Sequence, residues 1–390
     1  MTDVPVESLF PASLRNSSVE EKIHYFKSVP IPHKARERNL ELLNEHSFGS
    51  LDQRIVLLVG GAGVGKTDLL HELVRQRLKM RENEMLMDPH RLSAFYYEFA
   101  PPDRGTFEFT PYFQESMELM SCGLAHMTLD MRIRTVSGRA INSLDVEKRG
   151  RPLTATAARR RYIENCNERN VEIAALDEAG HAFKVASSAT AAERRQKLED
   201  RANYIKSLVN KSQTTYILCG AYDFFDLTTA TGQLARRCRV VHVLPYHIDE
   251  LEHFIRALMG FLQHLPIGYA INSSDFTELY LESVGCIGIL HDIFTGAVRS
   301  CLLKSDSVLT MAHLRANYLT PGAKKRLRLE LDAGIKAFTE FNSDEEQASG
   351  AINRALASKN PKAVPSKLKV GETKPSHRKD AGLLWDQHDS

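Results

Sequence analysis

The sequence predicts an α/β protein: a parallel sheet sandwiched by helices, then a small helical domain and a disordered C-terminal tail. Three observations predict it. Short apolar runs without alternation recur along the first 245 residues, helical stretches separate them, and after Pro245 only helical periodicity remains. A run that is apolar at every position is a strand buried on both faces, as in a parallel sheet. Strands that alternate with helices imply crossover units and a layered α/β core.

Residues 1–50 form an N-terminal segment with helices expected at 19–26 and 34–45. Between them, Val29-Pro30-Ile31-Pro32-His33 is stiff and extended, because two prolines fix the backbone and disfavour helix before each. The core spans 51–245, with strands expected at 54–59, 92–99, 171–176, 214–219 and 239–244. Helices are expected at 66–80, 154–169 and 192–211. In the helical domain, 246–341, Leu251, Phe254, Ile255, Leu258, Phe261 and Leu262 recur at offsets of three and four. The segment 342–390 has few apolar residues and runs from acidic to basic, a composition that reads as disordered. Near its end Leu383-Leu384-Trp385 carries the only tryptophan of the chain and has the build of a tethered peptide ligand.

The chain has 390 residues, 43% of them apolar and 26% charged, a soluble globular mix. Its formal net charge of +2 excludes an overall basic coat, so binding to nucleic acid needs a local patch. No apolar run approaches a membrane span and the first thirty residues lack a signal-peptide core, so the expectation is a cytoplasmic protein with no membrane partner. Six scattered cysteines without CxxC spacing argue for reduced thiols and against a zinc site or a disulfide frame.

The strongest signal is Gly60-Gly61-Ala62-Gly63-Val64-Gly65-Lys66-Thr67, a full G-x-x-x-x-G-K-[ST] match between an expected strand and an expected helix. Glycines let successive N–H groups converge on phosphate oxygens, and the helix N-terminus adds partial positive charge. Lys66 is expected on the β- and γ-phosphates of ATP, Thr67 on Mg²⁺, and Asp68 beside them. The strand 171–176 then ends in Asp177-Glu178, which places two carboxylates at the carboxyl edge of the sheet. Asp177 is read as the second Mg²⁺ group and Glu178 as the base that orients or deprotonates water, which points to ATP hydrolysis. His181 is read as a packing residue. After the strand 214–219, Cys219, Tyr222 and Asp223 are candidates for sensing the γ-phosphate. Arg236 and Arg237 precede the last strand, where an arginine could reach a neighbouring subunit's nucleotide.

Together these segments resemble AAA+ regulators of DNA transposition, the TnsC and TniB group, with the phage Mu target-selector ATPase a more distant relative. The stretches that carry the resemblance are GGAGVGKT, IAALDEAGH, YILCGAYDFFDL, LARRCRVVHVLPYHIDELEHF and GCIGILHDIFTGAVRSCL, within roughly 20–320. The resemblance implies an AAA+ P-loop domain with a helical lid. It also implies a helical or ring homo-oligomer that forms ATP-dependent filaments on duplex DNA, selects the target with a targeting factor and recruits the transposase. Arg237 best matches the family's arginine, with Arg236 second, and Ile31 and His33 fall in the piece that lies over adenine. Gly220-Ala221 departs from the family's Gly-Thr, and no lid arginine is evident in 285–288, leaving Arg299 as a candidate.

The stretch 131–161 holds nine basic residues against Asp145 and Glu147. Arg132, Arg134, Arg139, Arg149, Arg151, Arg159, Arg160 and Arg161 are therefore candidates for backbone contacts to duplex DNA. The alternative there is a solvated basic helix face. Two other functions share the nucleotide motifs: an AAA+ replication initiator or helicase loader, and a nucleotide-gated switch that binds no DNA.

Overall fold

In the computed structural model the described residues are 8–48, 54–88, 90–102, 107–121, 154–183, 190–222 and 238–358. The apolar run before the glycine loop forms β1 (Ile55–Gly60), buried at every position. It lies between β4 (Thr215–Gly220) and β5 (Cys238–Val243) in a five-stranded sheet of order β2-β3-β4-β1-β5. All pairings are parallel, with Leu57 opposite Leu218 on one side and Val240 on the other. β2 (Ala94–Glu98) is the far edge and β3 (Ile173–Asp177) sits beside it. Each strand coincides with an expected run to within a residue or two.

Adjacent residues on β2 show the sandwich. Tyr96 meets His71 of α3 (Lys66–Met80) edge-on, with ring centroids 4.4 Å apart, whereas Tyr97 meets Tyr112 of α5 (Phe109–Ser121) at 5.0 Å. Successive strand side chains point to opposite faces, so helices cover both. On the first face α3 is joined by α2 (Lys34–Ser47) and the short α4 (Glu82–Met87), while α1 (Val19–Ser28) precedes them in the chain. The second face holds an aromatic cluster in which Tyr112 bonds Tyr162 of α6 (Ala155–Glu168) at 2.7 Å. The four-residue α7 (Gly180–Phe183) follows β3, and α8 (Ala191–Lys211) leads into β4. This is the mixed α/β architecture that the sequence predicts, a parallel sheet flanked by helices.

The lid consists of α9 (Leu251–Gln263), α10 (Phe276–Ser283), α11 (Ile287–Leu303) and α12 (Met311–Arg315). It also contains two strands that helical periodicity does not reveal, β6 (Gly268–Ala270) and β7 (Val308–Thr310), paired in parallel. At three residues each, they are too short to print a period of two on the sequence. α1 packs on this lid: Phe26 stacks on His291 at 6.0 Å, and Tyr25 O–H lies 2.8 Å from His264 Nδ1.

The boundary expected at 342 needs correction. Helix α13 (Pro321–Ser358) runs straight through it. Ala348, Ala351, Ala355 and Ala357 supply the best helix former at close spacing, which outweighs the low apolar content of that stretch. Residues 1–336 make one compact unit and 337–390 a second. The Leu383-Leu384-Trp385 motif lies outside the described residues.

Candidate active site

The glycine loop turns tightly into α3. Gly65 caps α3 with φ 95° and Gly63 has φ 74°, left-handed values that a side chain would strain. Lys66 opens the helix, and its Nζ donates to the carbonyls of Gly60 (2.9 Å) and Gly61 (2.7 Å), which hold the ammonium over the loop. The β3 carboxylate closes on the same loop. Thr67 Oγ1 donates to Asp177 Oδ2 at 2.7 Å, although 110 residues separate them in sequence. Asp177 is only 3% exposed. Its Oδ2 also accepts from the Tyr96 hydroxyl at 3.1 Å, and its Oδ1 from the Glu178 N–H at 2.9 Å. Burial, with Asp177 and Glu98 adding to it, raises the Tyr96 phenol well above its ordinary value, so it remains a donor.

Glu178 leaves the strand in a left-handed conformation, φ 50°, and its side chain is 57% exposed. Strain of this kind in a residue other than glycine collects at functional positions. His181, a packing residue by its sequence, instead faces this acid: Nε2 lies 4.0 Å from Glu178 Oε2 and its side chain is 28% exposed. The i,i+3 spacing in a tight turn after β3 brings them together.

Of the γ-phosphate sensor candidates, Cys219 is fully buried next to Asp177, and burial pushes its thiol well up. Tyr222 O–H lies 2.9 Å from His242 Nε2, and Tyr222 packs beside Gly61. Asp223, Arg236 and Arg237 lie outside the described residues.

Beside the loop is a cavity of about 290 Å³. Its walls include Val29, Ile31 and His33 of the extended piece, Ala35, Arg36 and Asn39 of α2, Val64 and Gly65 of the loop, Thr67, Asp68, Leu69 and His71 of α3, Val243 to Tyr246 at the end of β5 and beyond it, and Phe261, Ile287, Gly288 and His291 of the lid. Ile31 is buried, and His33 caps α2 by accepting from Arg36 N at 3.3 Å while its Nδ1 lies 2.9 Å from Tyr246 O–H. Burial, helped by the Arg36 charge, holds the His33 imidazole down at about 4. Asp68 is engaged by Arg36, Nε to Oδ2 2.7 Å, and the same guanidinium reaches Glu72 at 3.2 Å. Nothing in the sequence singles out Arg36, where it is one charge among several on α2. The lid touches the loop directly: Gly288 N donates to Gly63 O at 2.8 Å, and a Cβ on Gly288 would stand 2.6 Å from that oxygen. Among the described residues the lid lends the cavity no arginine, and Arg299 is exposed on α11 outside its lining.

Of the basic residues expected to meet DNA, Arg132, Arg134, Arg139, Arg149 and Arg151 lie outside the described residues. Arg160 and Arg161 are exposed on α6, with Arg160 bonded to Glu164 at 2.7 Å. Arg159 is committed elsewhere, its guanidinium 5.1 Å over the Tyr204 ring.

A second cluster, Cys301, Asp306 and His313, brings three metal-ligand types within 4.8 Å, which sequence spacing does not suggest. Its atoms have internal partners. His313 Nδ1 accepts from Thr310 N and Nε2 lies 3.2 Å from Asp306, while Cys301 Sγ donates to the Asp306 and Val308 carbonyls. These bonds account for the cluster as the tie between α11, β7 and α12. The five described cysteines are free thiols.

No family model matches the chain, and no curated relative does. Solved structures that resemble it include a Walker-type ATPase of Pyrococcus abyssi, 17% identical, covering 83% of this chain and 80% of that one with a TM-score of 0.42. Another is the Cdc6 protein of Pyrobaculum aerophilum, 15% identical over 73% of this chain and 67% of that one, TM-score 0.45. A third is the ORC2 protein of Aeropyrum pernix with ADPNP and ADP, 12% identical over 76% and 72%, TM-score 0.46.

Proposed function

We propose that the protein is an AAA+ ATPase that acts on duplex DNA as a regulator of transposition. The observation that carries the ATPase reading is the 2.7 Å bond from Thr67 to Asp177, which joins the glycine loop to the acidic strand end with Glu178 beside it. A hydroxyl and a carboxylate oxygen are the hard donors Mg²⁺ takes, and its usual partners are nucleotide phosphates. Thr67 and Asp177 would hold the ion, and the bound ion would neutralise phosphate charge. The loop N–H groups and Lys66 bind and orient the β- and γ-phosphates. Exposed Glu178 takes or directs the proton of the attacking water, with His181 Nε2 4.0 Å from its Oε2. Ile31, His33 and the lid cover the base.

The transposition reading is supported by the segment Gly285-Cys286-Ile287-Gly288-Ile289-Leu290, which carries the resemblance and, through Gly288, docks on the loop. In that reading the protein polymerises on DNA with ATP, selects the target site with a targeting factor and recruits a transposase. Arg237, or Arg236, completes the neighbour's site. An initiator or helicase loader would use the same nucleotide residues. Negative-stain microscopy of the purified chain with ATP and duplex DNA tests the proposal: regular filaments that vanish on hydrolysis are expected. Nucleotide binding with little turnover and no DNA binding would leave the non-DNA switch, and a transposase gene beside this one separates transposition from initiation.

A further inference from the structure

Among the described residues, buried side-chain atoms without a hydrogen-bond partner occur on Asn39, His71, Arg77, Ser93, Ser116 and Thr295. Only Asn39 and His71 line the cavity. A buried polar atom left unpaired is unfavourable, and such atoms in folded proteins are ordinarily met by a ligand or an ordered water. Asn39 is 2% exposed in the body of α2, where asparagine is also a poor helix former. An apolar residue there would suit the helix better on both counts.

The two orphans lie toward different ends of the nucleotide site. His71 is one turn beyond Thr67 on α3, with its ring against Tyr96, the tyrosine bonded to Asp177. It belongs with the metal and phosphate side. Asn39 is one turn beyond Arg36 on α2, the helix that starts at the extended piece and His33. The same lining offers the apolar side chains Val29, Ile31, Val64, Leu69, Phe261 and Ile287. An apolar slot with one amide on its wall is the build of a site for a flat heterocycle.

We propose that Asn39 reads the base and gives this site its preference for adenine over guanine; the inference rests on the nucleotide reading above. An amide presents one acceptor and one donor side by side. Adenine presents the complement, the 6-amino donor next to a ring nitrogen acceptor. The O6/N7 edge of guanine carries two acceptors and calls for arginine or lysine, and its N1–H and 2-amino donors call for a carboxylate. The cavity's arginine and carboxylate, Arg36 and Asp68, are bound to each other, and Lys27 is an exposed residue of its rim. His291 already bonds the Phe26 backbone. Asn39 is the lining group whose acceptor awaits a donor.

Displacement of a fluorescent ADP from the full chain tests this without hydrolysis. Wild-type protein should bind ADP about tenfold or more tightly than GDP or IDP, the last of which has a carbonyl in place of the 6-amino donor and a proton on N1. Asn39→Ala should weaken ADP by a similar factor and leave GDP nearly unchanged, and Asn39→Asp should shift preference toward GDP. Inorganic tripolyphosphate should compete equally well against all three proteins, which reports an intact loop. Equal ADP and IDP affinity in wild-type protein, a comparison that needs no variant to fold, would overturn the proposal. So would an undiminished ADP preference in Asn39→Ala. Failure of wild-type protein to bind ADP or tripolyphosphate at all would overturn the nucleotide reading as well, an outcome distinct from binding without discrimination.

Discussion

At Asp177 two hydroxyls, from Thr67 and Tyr96, converge on one carboxylate oxygen at 2.7 and 3.1 Å. In the proposed function Thr67 turns toward Mg²⁺, whereas the phenol of Tyr96 stays buried and donates to the carboxylate. Tyr96→Phe should therefore lower ATP turnover about tenfold and raise the Mg²⁺ concentration needed for half-maximal rate, with ATP affinity little changed, since a bond to a charged group is lost. Steady-state kinetics across a Mg²⁺ series checks it; an unaltered Mg²⁺ requirement would make Tyr96 a packing residue only. Lys66→Ala should abolish ATP binding, and Glu178→Gln should keep binding but stop turnover, because an amide cannot take the proton. Wild-type hydrolysis by the Gln variant would remove Glu178 from the mechanism. Lys66, Thr67, Asp177 and Glu178 are legible in the sequence because the motif is contiguous and its strand and helix flank it. Tyr96 and Asn39 are not. Each lies in a segment that reads as ordinary strand or helix, and its partner or cavity is assembled from distant parts of the chain.

Helix α2 ties the base side of the site to the phosphate side. His33 caps its start, Arg36 links it to Asp68 and Glu72 of α3, and Asn39 faces the cavity. The cap carries a pH dependence whose sign follows from its depressed value. His33 sits at about 4 in the folded chain against an ordinary 6.5, so the unfolded chain takes up a proton first as pH falls. Between pH 6.5 and 4 the unfolded state binds more protons and stability drops with pH; above 6.5 both states are neutral and the residue adds no slope. His242, also held at about 4 by burial, acts in the same direction. His33→Asn keeps a good N-cap but cannot titrate. It should flatten the fall in Tm between pH 6.5 and 4, and melting curves with a slope equal to wild type would dismiss His33 as a source of acid lability. At this scale the sequence is most readable where elements are long and buried. β1 and α3 are marked by a six-residue apolar run and a fifteen-residue helix. It is least readable where elements are short, as in β6 and β7, or where helix propensity carries an element past its buried residues, as in the later turns of α13.

Across the whole molecule the net charge is nearly balanced, so any grip on DNA depends on where the arginines stand. Of the three on α6 only Arg160 and Arg161 are exposed to solvent. Replacing both with alanine should weaken duplex binding irrespective of base sequence and reduce the salt slope by about two ions, whereas Arg159→Ala should chiefly cost packing on Tyr204. Salt titrations of binding give both numbers, and an unchanged slope in the double variant would move the DNA site off α6. The last connection runs from the C-terminal helix to the phosphate loop. Leu327 and Leu331 of α13 are 8% and 2% exposed, and a Cβ added to Gly61 would strike Leu331. Tyr222 lies between Gly61 and Gly334, where an added Cβ would strike its ring. The first four turns of α13 are thus part of the unit that holds the glycine loop and extends to Lys336. Deletions from the C-terminus should show the boundary as a step. A chain ending at Asn342 retains Leu327, Leu331 and Gly334 and should keep wild-type Tm and ATP affinity. A chain ending at Thr320 loses two buried leucines and uncovers Gly61 and Tyr222, and it should lose stability or fail to fold. Leu331→Ala isolates the contact, with an expected loss of about 2–5 kcal/mol for removing a buried leucine side chain. If the chain ending at Thr320 melted like wild type and bound ATP as well, α13 would have no structural hold on the loop, and its contact with Gly61 would be incidental to nucleotide binding.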